Sequence, residues 1–356
     1  MIYLDFGNIG ALEKRYVMDV LDSGYVSTAS PWVDRFEEAV ARYVGGAYVL
    51  ATNSGTAALH LALLACGVGP GDEVIVPVTT FVATANVVRY VGATPVFVDV
   101  DPQTWCMDAV AAREAITERT KVLILVHLYG NPCDLLATRE LATFIIEDAA
   151  EALGTTYNQE KIGDANWSDY ICLSFNGNKI MTTGGGGAVI TAFREDKDRL
   201  FYLATQAKNE DGTHGEIGYN ARMTGLSAGL GLAQLERIDE FVAKKRRFNQ
   251  IYREQLPMLT FQEATSHSEP NWWYTAATFP EHINIETLQK VLKSKGIPTR
   301  RIFRPLVDSP PYHDGKEYLN ARYIYDHGLC LPSSTCNAEE DIYHVCEIIR
   351  RYTWQT

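Results

Sequence analysis

Short apolar runs alternate with longer segments of helical spacing between about residues 47 and 192. This alternation is typical of an open α/β sheet with helices on its faces. The seven runs rich in β-branched residues are the predicted strands, at 47–52, 73–78, 94–99, 121–128, 144–148, 170–175 and 188–191. Segments 55–67 and 80–92 are almost uniformly apolar, which predicts helices that pack inside the layers instead of lying on the surface.

The pattern changes in the second part of the chain. Apolar residues between Leu226 and Val242 recur at helical spacings, which predicts a helix leading into a second domain. We therefore predict a larger domain over residues 1–240 and a smaller α+β domain over 241–356, onto which the first residues of the chain could pack. The basic run KKRR at 244–247 is interpreted as a solvated helix face.

Composition narrows the class of protein. Of 356 residues, 46% are apolar and 21% are charged, which indicates a globular protein with a substantial core. The net charge of −12 argues against broad binding to nucleic acid or to anionic membranes. Seven scattered cysteines without a CxxC pair predict neither a disulfide framework nor a metal site. The opening residues have no pattern of a secretory signal, so we expect a cytoplasmic protein without a membrane segment.

Candidate chemistry begins at a glycine-rich loop, TTGGGG at 182–187. The loop lacks the GK[ST] of a phosphate-binding P-loop and is followed by a strand, so it indicates a tight turn or a close approach to a ligand. The preceding segment, SFNGNK, ends a predicted strand and places Lys179 beside the glycines, five residues after Ser174. A desolvated lysine amine can act as a nucleophile, although most lysines are surface charges.

Two further strand ends carry polar groups. NSGT at 53–56 lies at a strand-to-helix junction, where free backbone N–H groups and hydroxyls can form a phosphate cup or simply cap the helix. Asp148 ends an apolar strand, where ligands bind in open α/β sheets, or it caps a following helix. A phosphate cup, an amine and a buried carboxylate together are what pyridoxal 5′-phosphate (PLP) requires.

At this point the chain resembles the DegT/StrS family of PLP-dependent sugar aminotransferases over nearly its whole length. The blocks that carry the resemblance are SGYVSTASPWVDRFEEAVARYVG, NSGTAALHLAL, GDEVIVPVTTFVATANVV, GATPVFVDVDPQTW, VHLYGNPCD, IEDAAEALG, SFNGNKIMTTGGGG, GYNARMT and LAQLERIDEF. The resemblance implies fold type I, the aspartate aminotransferase fold: a mostly parallel seven-stranded sheet sandwiched by helices, with a smaller α+β domain at the C-terminal end.

The resemblance also implies roles for particular residues. Lys179 would be the Schiff-base lysine and the base and acid of proton transfer, and Asp148 would pair with the pyridinium nitrogen. Glu151 would bond the ring hydroxyl, and Phe81 would stack on the ring. The residues implied to hold the phosphate are Ser54, Gly55, Thr56, Ser174 and, across a homodimer interface, Asn220 of the neighbouring subunit.

Substrate residues follow from the same resemblance. The cations that could meet a diphosphate-linked sugar lie near Tyr312 and are Arg300, Arg301 and Arg304, although each could be an ordinary surface arginine. The residues that match a family substrate loop are Tyr25, Ser27 and Thr28. Two departures stand out: the segment 135–144 is short, which suggests a truncated helix, and Val307 replaces a histidine that meets the substrate in many relatives.

The implied reaction moves an amino group from L-glutamate to C4 of a nucleotide-linked 4-keto-6-deoxy sugar, for surface polysaccharide or glycan assembly. Alternatives within the class are amination at C3 and amination of a free keto sugar acid. A PLP dehydratase of this fold is disfavoured because Lys179 is present. A non-catalytic PLP-binding regulator is the alternative of another class, and no DNA-binding motif supports it.

Overall fold

The computed structural model describes residues 1–355, with side chains as far as Thr353. Its strands are β1 Tyr48–Thr52, β2 Glu73–Pro77, β3 Thr94–Val98, β4 Thr120–Val126, β5 Phe144–Asp148, β6 Thr156–Tyr157, β7 Glu160–Lys161, β8 Tyr170–Ser174, β9 Gly187–Thr191, β10 Thr260–Phe261, β11 Ser268–Glu269, β12 Thr275–Thr278, β13 Arg300–Arg301 and β14 Gly328–Leu331.

The helices are α1 Ala11–Ser23, α2 Pro31–Val44, α3 Gly55–Ala65, α4 Ala83–Tyr90, α5 Ala109–Glu114, α6 Leu135–Thr138, α7 Arg194–Ala204, α8 Gly225–Leu235, α9 Ile238–Gln255, α10 Ile285–Ser294, α11 Leu319–His327 and α12 Glu339–Gln355. Short 3-10 helices occupy Leu128–Gly130, Leu306–Asp308 and Pro310–Tyr312. No helix within the described residues is both long and apolar enough to cross a membrane.

The central sheet has seven strands in the order β1-β9-β8-β5-β4-β2-β3. Its strands are the seven predicted from the sequence, within two residues at each end. Strands β8, β5, β4, β2 and β3 pair in parallel, and β9 runs antiparallel to both β1 and β8. The mostly parallel α/β architecture is thereby confirmed. The carboxyl ends of β1, β8, β5 and β4 consequently lie along one edge, where ligands bind in such sheets.

One long helix was predicted between residues 226 and 242, and this prediction is wrong at its centre. Helix α8 ends at Leu235 and α9 begins at Ile238. At the break, Arg237 leaves helical geometry with ψ of 2°, and its guanidinium bonds Glu13 at 2.8 Å. The break carries no glycine or proline and leaves the apolar spacing almost unchanged, so the pattern could not reveal it.

The basic run at 244–247 was interpreted as a solvated helix face, and the structure contradicts this. Lys245 has 4% of its surface exposed, and its Nζ donates to the carbonyls of Trp273 and Ser333, each at 2.8 Å. Lys244 also donates to a backbone carbonyl, at 2.7 Å. Helix α9 is covered on this side by the segments before β12 and after β14. Its lysine amines therefore donate hydrogen bonds to backbone carbonyls of these segments.

The apolar residues form two core clusters. The larger one surrounds the central sheet, and the smaller one joins α9, α10, α12 and the sheet β10-β12-β14-β13. Helix α9 contributes Phe241 to the first cluster and Phe248 to the second, and it runs unbroken through the predicted boundary at residue 240. The division at 240 therefore stays a prediction. The chain start lies against the C-terminal part, where Tyr3 N donates to Asn337 Oδ1 at 2.8 Å.

Candidate active site

A cavity of about 450 Å³ opens at the carboxyl edge of the central sheet. This size is within the range of small-molecule sites in proteins. Of the residues singled out in the sequence, those that line the cavity are Ser54, Gly55, Thr56, Phe81, Asp148, Glu151, Ser174, Lys179 and Arg300. Residues from five separate chain segments therefore meet here, because the strands that precede most of them end at the same edge.

Lys179 lies in the turn between β8 and β9, and its side chain is only 12% exposed. Its Nζ is 3.3 Å from Glu151 Oε1 and 4.3 Å from the ring centroid of Trp273. The backbone N–H of Lys179 donates to Asn176 O at 3.0 Å, which closes the turn. The amine is therefore partly desolvated and held between a carboxyl group and an aromatic face.

Glu151 is the carboxyl group beside this amine. Its Oε2 accepts the backbone N–H of Tyr129 at 2.8 Å. Burial raises the pKa of Glu151, and the neighbouring Lys179 ammonium opposes this increase. Tyr129 reaches Glu151 from a left-handed backbone conformation, with φ of 57°. A non-glycine residue is rarely found in this region, and such residues cluster at functional sites.

Asp148 ends β5 and is 7% exposed. Its Oδ2 accepts the hydroxyl of Thr84 at 2.7 Å, and that hydroxyl lies 3.0 Å from the hydroxyl of Thr80. Turns follow β5, so the helix-cap alternative for Asp148 is wrong. Glu147, one residue earlier, points to the other face of the sheet and pairs with a buried histidine at 2.7 Å. Of these two carboxylates at the end of β5, Asp148 is the one that lines the cavity.

The phosphate-cup candidate is formed by Ser54, Gly55, Thr56, Ser174 and Gly187, which we call the glycine cradle. Two of its positions have no room for a side chain. A Cβ on Gly55 would lie 2.8 Å from Ser174 Cβ, and one on Gly187 would lie 2.6 Å from Gly55 N. Ser54 Oγ accepts Ala57 N at 3.0 Å, so this serine does cap α3. The N–H groups of the first helical residues have no acceptor within the helix and favour an anion. The cradle and the Asp148 carboxylate fit the phosphate and the ring nitrogen of PLP.

The other predicted residues lie outside this cavity. They are Tyr25, Ser27, Thr28, Asn220, Arg301, Arg304 and Tyr312. The exposed residues among them include Tyr25, Ser27, Thr28 and Asn220. Arg301 and Arg304 contact Tyr325, and Tyr312 packs against Phe97. Their binding roles stay predictions, and within one chain only Arg300 of the three arginines lines the site.

Arg300 extends to the cavity from β13. Its Nη2 is 3.1 Å from Asp5 Oδ2, which also accepts Asn178 Nδ2 at 3.3 Å and the hydroxyl of Tyr274. The side chain of Arg300 is 40% exposed, so part of its guanidinium remains open to a ligand. The start of the chain thus helps to orient the cation of the site.

Sequence reasoning missed several lining residues, namely Thr80, Asn176, Asn178, Trp273 and Phe303. Asn176 and Asn178 lie within the SFNGNK segment and could have been included by proximity to Lys179. Trp273 and Phe303 come from the C-terminal third of the chain, and no local pattern distinguishes them from core aromatics. The described residues contain no cluster of three or more His, Cys, Asp or Glu side chains able to hold a metal ion.

Comparison with known proteins agrees with this arrangement. The model of the DegT/DnrJ/EryC1/StrS aminotransferase family matches residues 8–350. The chain is 38% identical over 348 residues to the GDP-perosamine synthase of Escherichia coli O157:H7, covering 96% of this chain and 95% of the relative. It is 39% identical over 347 residues to the GDP-perosamine synthase of Caulobacter vibrioides, covering 94% and 93%. The crystal structure of DesI in the presence of its TDP-sugar product superposes with a TM-score of 0.91 at 30% identity, covering 99% and 93%.

Proposed function

Because this chain belongs to the DegT/DnrJ/EryC1/StrS aminotransferase family and is a PLP-dependent sugar aminotransferase of fold type I, we propose that it aminates C4 of a nucleotide-linked 4-keto-6-deoxy sugar, with L-glutamate as donor. The observation that carries the proposal is the meeting of Lys179, Asp148 and the glycine cradle in one cavity. Two relatives named GDP-perosamine synthase support a C4-aminated, GDP-linked product. The TDP-sugar in the DesI structure supports nucleotide sugars more broadly.

In this proposal the cradle binds the phosphate of the cofactor. Ser54, Gly55 and Thr56 contribute the start of α3, and Ser174 contributes a hydroxyl from the end of β8. The N-terminal end of α3 favours the negative charge, because its first N–H groups have no acceptor within the helix. Phe81, which is 56% exposed at the cavity, offers an aromatic face for the ring.

Asp148 holds the ring nitrogen protonated, and Thr84 orients its carboxylate. When bound, PLP supplies an electron sink that stabilises the carbanion formed as the amino group is transferred. Lys179 Nζ removes the proton from the donor's carbon and returns one to the acceptor carbon. Glu151, buried at the cavity beside Lys179, would bond the ring hydroxyl.

The remaining wall of the cavity excludes water and binds the sugar nucleotide. Phe303 lies 6.1 Å from Phe81 and 5.4 Å from Tyr129, ring centroid to ring centroid, and so forms an aromatic side of the pocket. Arg300 supplies a partly exposed cation for a diphosphate or for the carboxylate of the donor. A substrate with two negative phosphates can therefore bind despite the overall charge of −12.

The homodimer is part of the proposal. Asn220 is exposed in the single chain, and its carbonyl accepts the side-chain amide of Asn53, which lines the cavity. A second copy packed on this face would bring its own Asn220 to the neighbouring cavity. Mixing Lys179→Ala and Asn220→Ala chains should then give hybrids with one undamaged site and recovered activity. Inactivity of every mixture would contradict shared sites.

A cytoplasmic location also belongs to the proposal. All seven cysteines are free thiols, as expected in a reducing compartment, and six of them are buried.

The central experiment replaces Lys179 with Ala. We expect loss of the near-visible absorbance of the lysine-bound cofactor and a fall in transamination of at least ~10²-fold, typical of a lost acid–base group. Persistent turnover would exclude Lys179.

Wild-type enzyme should be assayed with L-glutamate as the amino donor. The acceptors to compare are GDP- and TDP-linked 4-keto-6-deoxy sugars, a 3-keto analogue and a free keto sugar acid. NMR should locate the new nitrogen at C4. Nitrogen at C3, or turnover with the free acid alone, would replace the C4 assignment.

A further inference from the structure

Trp273 contacts the reactive lysine and the residue that precedes it. The Nζ of Lys179 lies 4.3 Å from its ring centroid, and its Nε1 donates to Asn178 O at 2.8 Å. The side chain is 1% exposed, although it comes from the C-terminal third of the chain, immediately before β12. One indole therefore reaches both the amine and the backbone of the turn that carries it.

Trp273 is itself held in place by two backbone hydrogen bonds and by ring packing. Its carbonyl accepts Lys245 Nζ at 2.8 Å, and its N–H donates to Asn271 Oδ1 at 2.8 Å. Its ring packs on Tyr274 with centroids 4.1 Å apart. Asn271 is fully buried, and its Nδ2 donates to Glu151 O at 2.9 Å. The backbones of Trp273 and Glu151 are thus held by the same asparagine.

These contacts constrain the amine of Lys179 from two sides. Glu151 Oε1 lies 3.3 Å from Nζ, and the indole face lies at 4.3 Å. A lysine side chain has four rotatable bonds, so one partner alone leaves many positions open to the nitrogen. An aromatic face attracts an ammonium group and also blocks the space behind it. Removal of the indole would leave Nζ free to leave the attacking position.

We propose that Trp273 is a positioning residue that holds Lys179 Nζ where it can reach the cofactor's aldehyde carbon. This inference rests on the proposed role of Lys179. In the step that it assists, the neutral amine forms a C=N bond to that carbon, and the carbonyl oxygen leaves as water with the two amine protons. Trp273 contributes no proton and no electron pair, and it acts only through the location of Nζ.

The test separates positioning of the amine from assembly of the phosphate cradle. Pyridoxamine phosphate binds without a bond to lysine, so its Kd reports the cofactor contacts other than the bond to Lys179. PLP loading, followed by near-visible absorbance and by borohydride reduction with mass analysis of the Lys179 peptide, reports the amine. Both measurements use the full chain. Its bound PLP is first converted to pyridoxamine phosphate and removed by dialysis, and neither measurement needs a sugar substrate.

We expect Trp273→Leu and Trp273→Met to slow PLP loading at least tenfold while the Kd of pyridoxamine phosphate stays within twofold of wild type. Trp273→Phe keeps an aromatic face and should recover most of the loading rate. The matched control is Trp272→Leu, since Trp272 contacts Arg253 and does not line the cavity; it should load at the wild-type rate.

Wild-type loading rates in both aliphatic variants would overturn the proposal. Weakened binding of pyridoxamine phosphate in both would overturn it as well, because Trp273 would then be a structural part of the cradle. Equal slowing in the Phe and Leu variants would show that the aromatic face has no role. Failure of the proposed function has a different signature: Lys179→Ala would itself still show the near-visible absorbance, and borohydride reduction would attach the cofactor to another lysine.

Discussion

The buried amine of Lys245 makes a prediction about stability and pH. Replacing Lys245 with Met keeps most of the length of the side chain. It removes the charge and the donors to Trp273 O and Ser333 O, both at 2.8 Å. Burial lowers the pKa of Lys245 to about 7. In an unfolded chain the same group has a pKa of about 10.4.

The sign follows from which state binds the proton. Between pH 7 and about 10.4 the unfolded chain is protonated at this lysine and the folded protein is not, so the free energy of unfolding rises with pH. The cost of the buried amine is fully present below pH 7 and disappears towards pH 10.4. Over the whole interval it amounts to about 5 kcal/mol. Between pH 7.0 and 8.5 the expected gain in the free energy of unfolding is about 2 kcal/mol.

Urea unfolding followed by tryptophan fluorescence, at several pH values and with saturating PLP, measures this gain. The quantity to compare is the free energy of unfolding of the wild type minus that of Lys245→Met, because all other titrating groups cancel. The lost hydrogen bonds of the variant add a constant offset, whereas the slope belongs to Lys245. Lys244→Met, on the same helix with a half-buried amine, is the control and should keep the wild-type slope. A difference that does not change between pH 7.0 and 8.5 would refute the argument.

Three further substitutions test the site. Asp148→Asn should leave the unfolding midpoint nearly unchanged and lower transamination at least ~10²-fold, and an unchanged rate would remove Asp148 from the mechanism. Gly55→Ala places a Cβ 2.8 Å from Ser174 Cβ and should raise the Kd of PLP at least ~10-fold. The control Gly177→Ala places a Cβ that meets nothing within 4 Å and should bind PLP as the wild type does; equal Kd values in the two variants would contradict the cradle. Asn271→Ala leaves three buried backbone groups without their partner and should cost about 3 kcal/mol or more in urea unfolding, so a loss under ~1 kcal/mol would contradict the network.

The central sheet was predictable because each strand is a local signal. A buried strand of the parallel type needs a continuous apolar run, and seven such runs are present. The polar residues at the ends of these runs, including Lys179 and Asp148, were found for the same reason: chain direction and sheet order bring strand ends to one edge. The four-residue helix α6 also agrees with the short segment 135–144.

Residues that act across long sequence separations were not predictable. Thr84 bonds a carboxylate 64 residues away, and Trp273 bonds a carbonyl 95 residues away. In the sequence, Thr84 is a small polar residue within an apolar helix, and Trp273 resembles any core aromatic. The residues adjacent to them in the sequence do not indicate which distant residues they will contact once the chain is folded.

The fold class, the succession of strands along the chain and the chemical groups at the strand ends were predictable from the sequence, because these depend on local patterns of burial and direction. Which of those groups share a cavity, and the partial burial of KKRR, depend on how the whole chain folds. Burial of a given side chain is set by the elements packed against it, which no local pattern specifies. For Lys245 these elements lie 28 and 88 residues further along the chain.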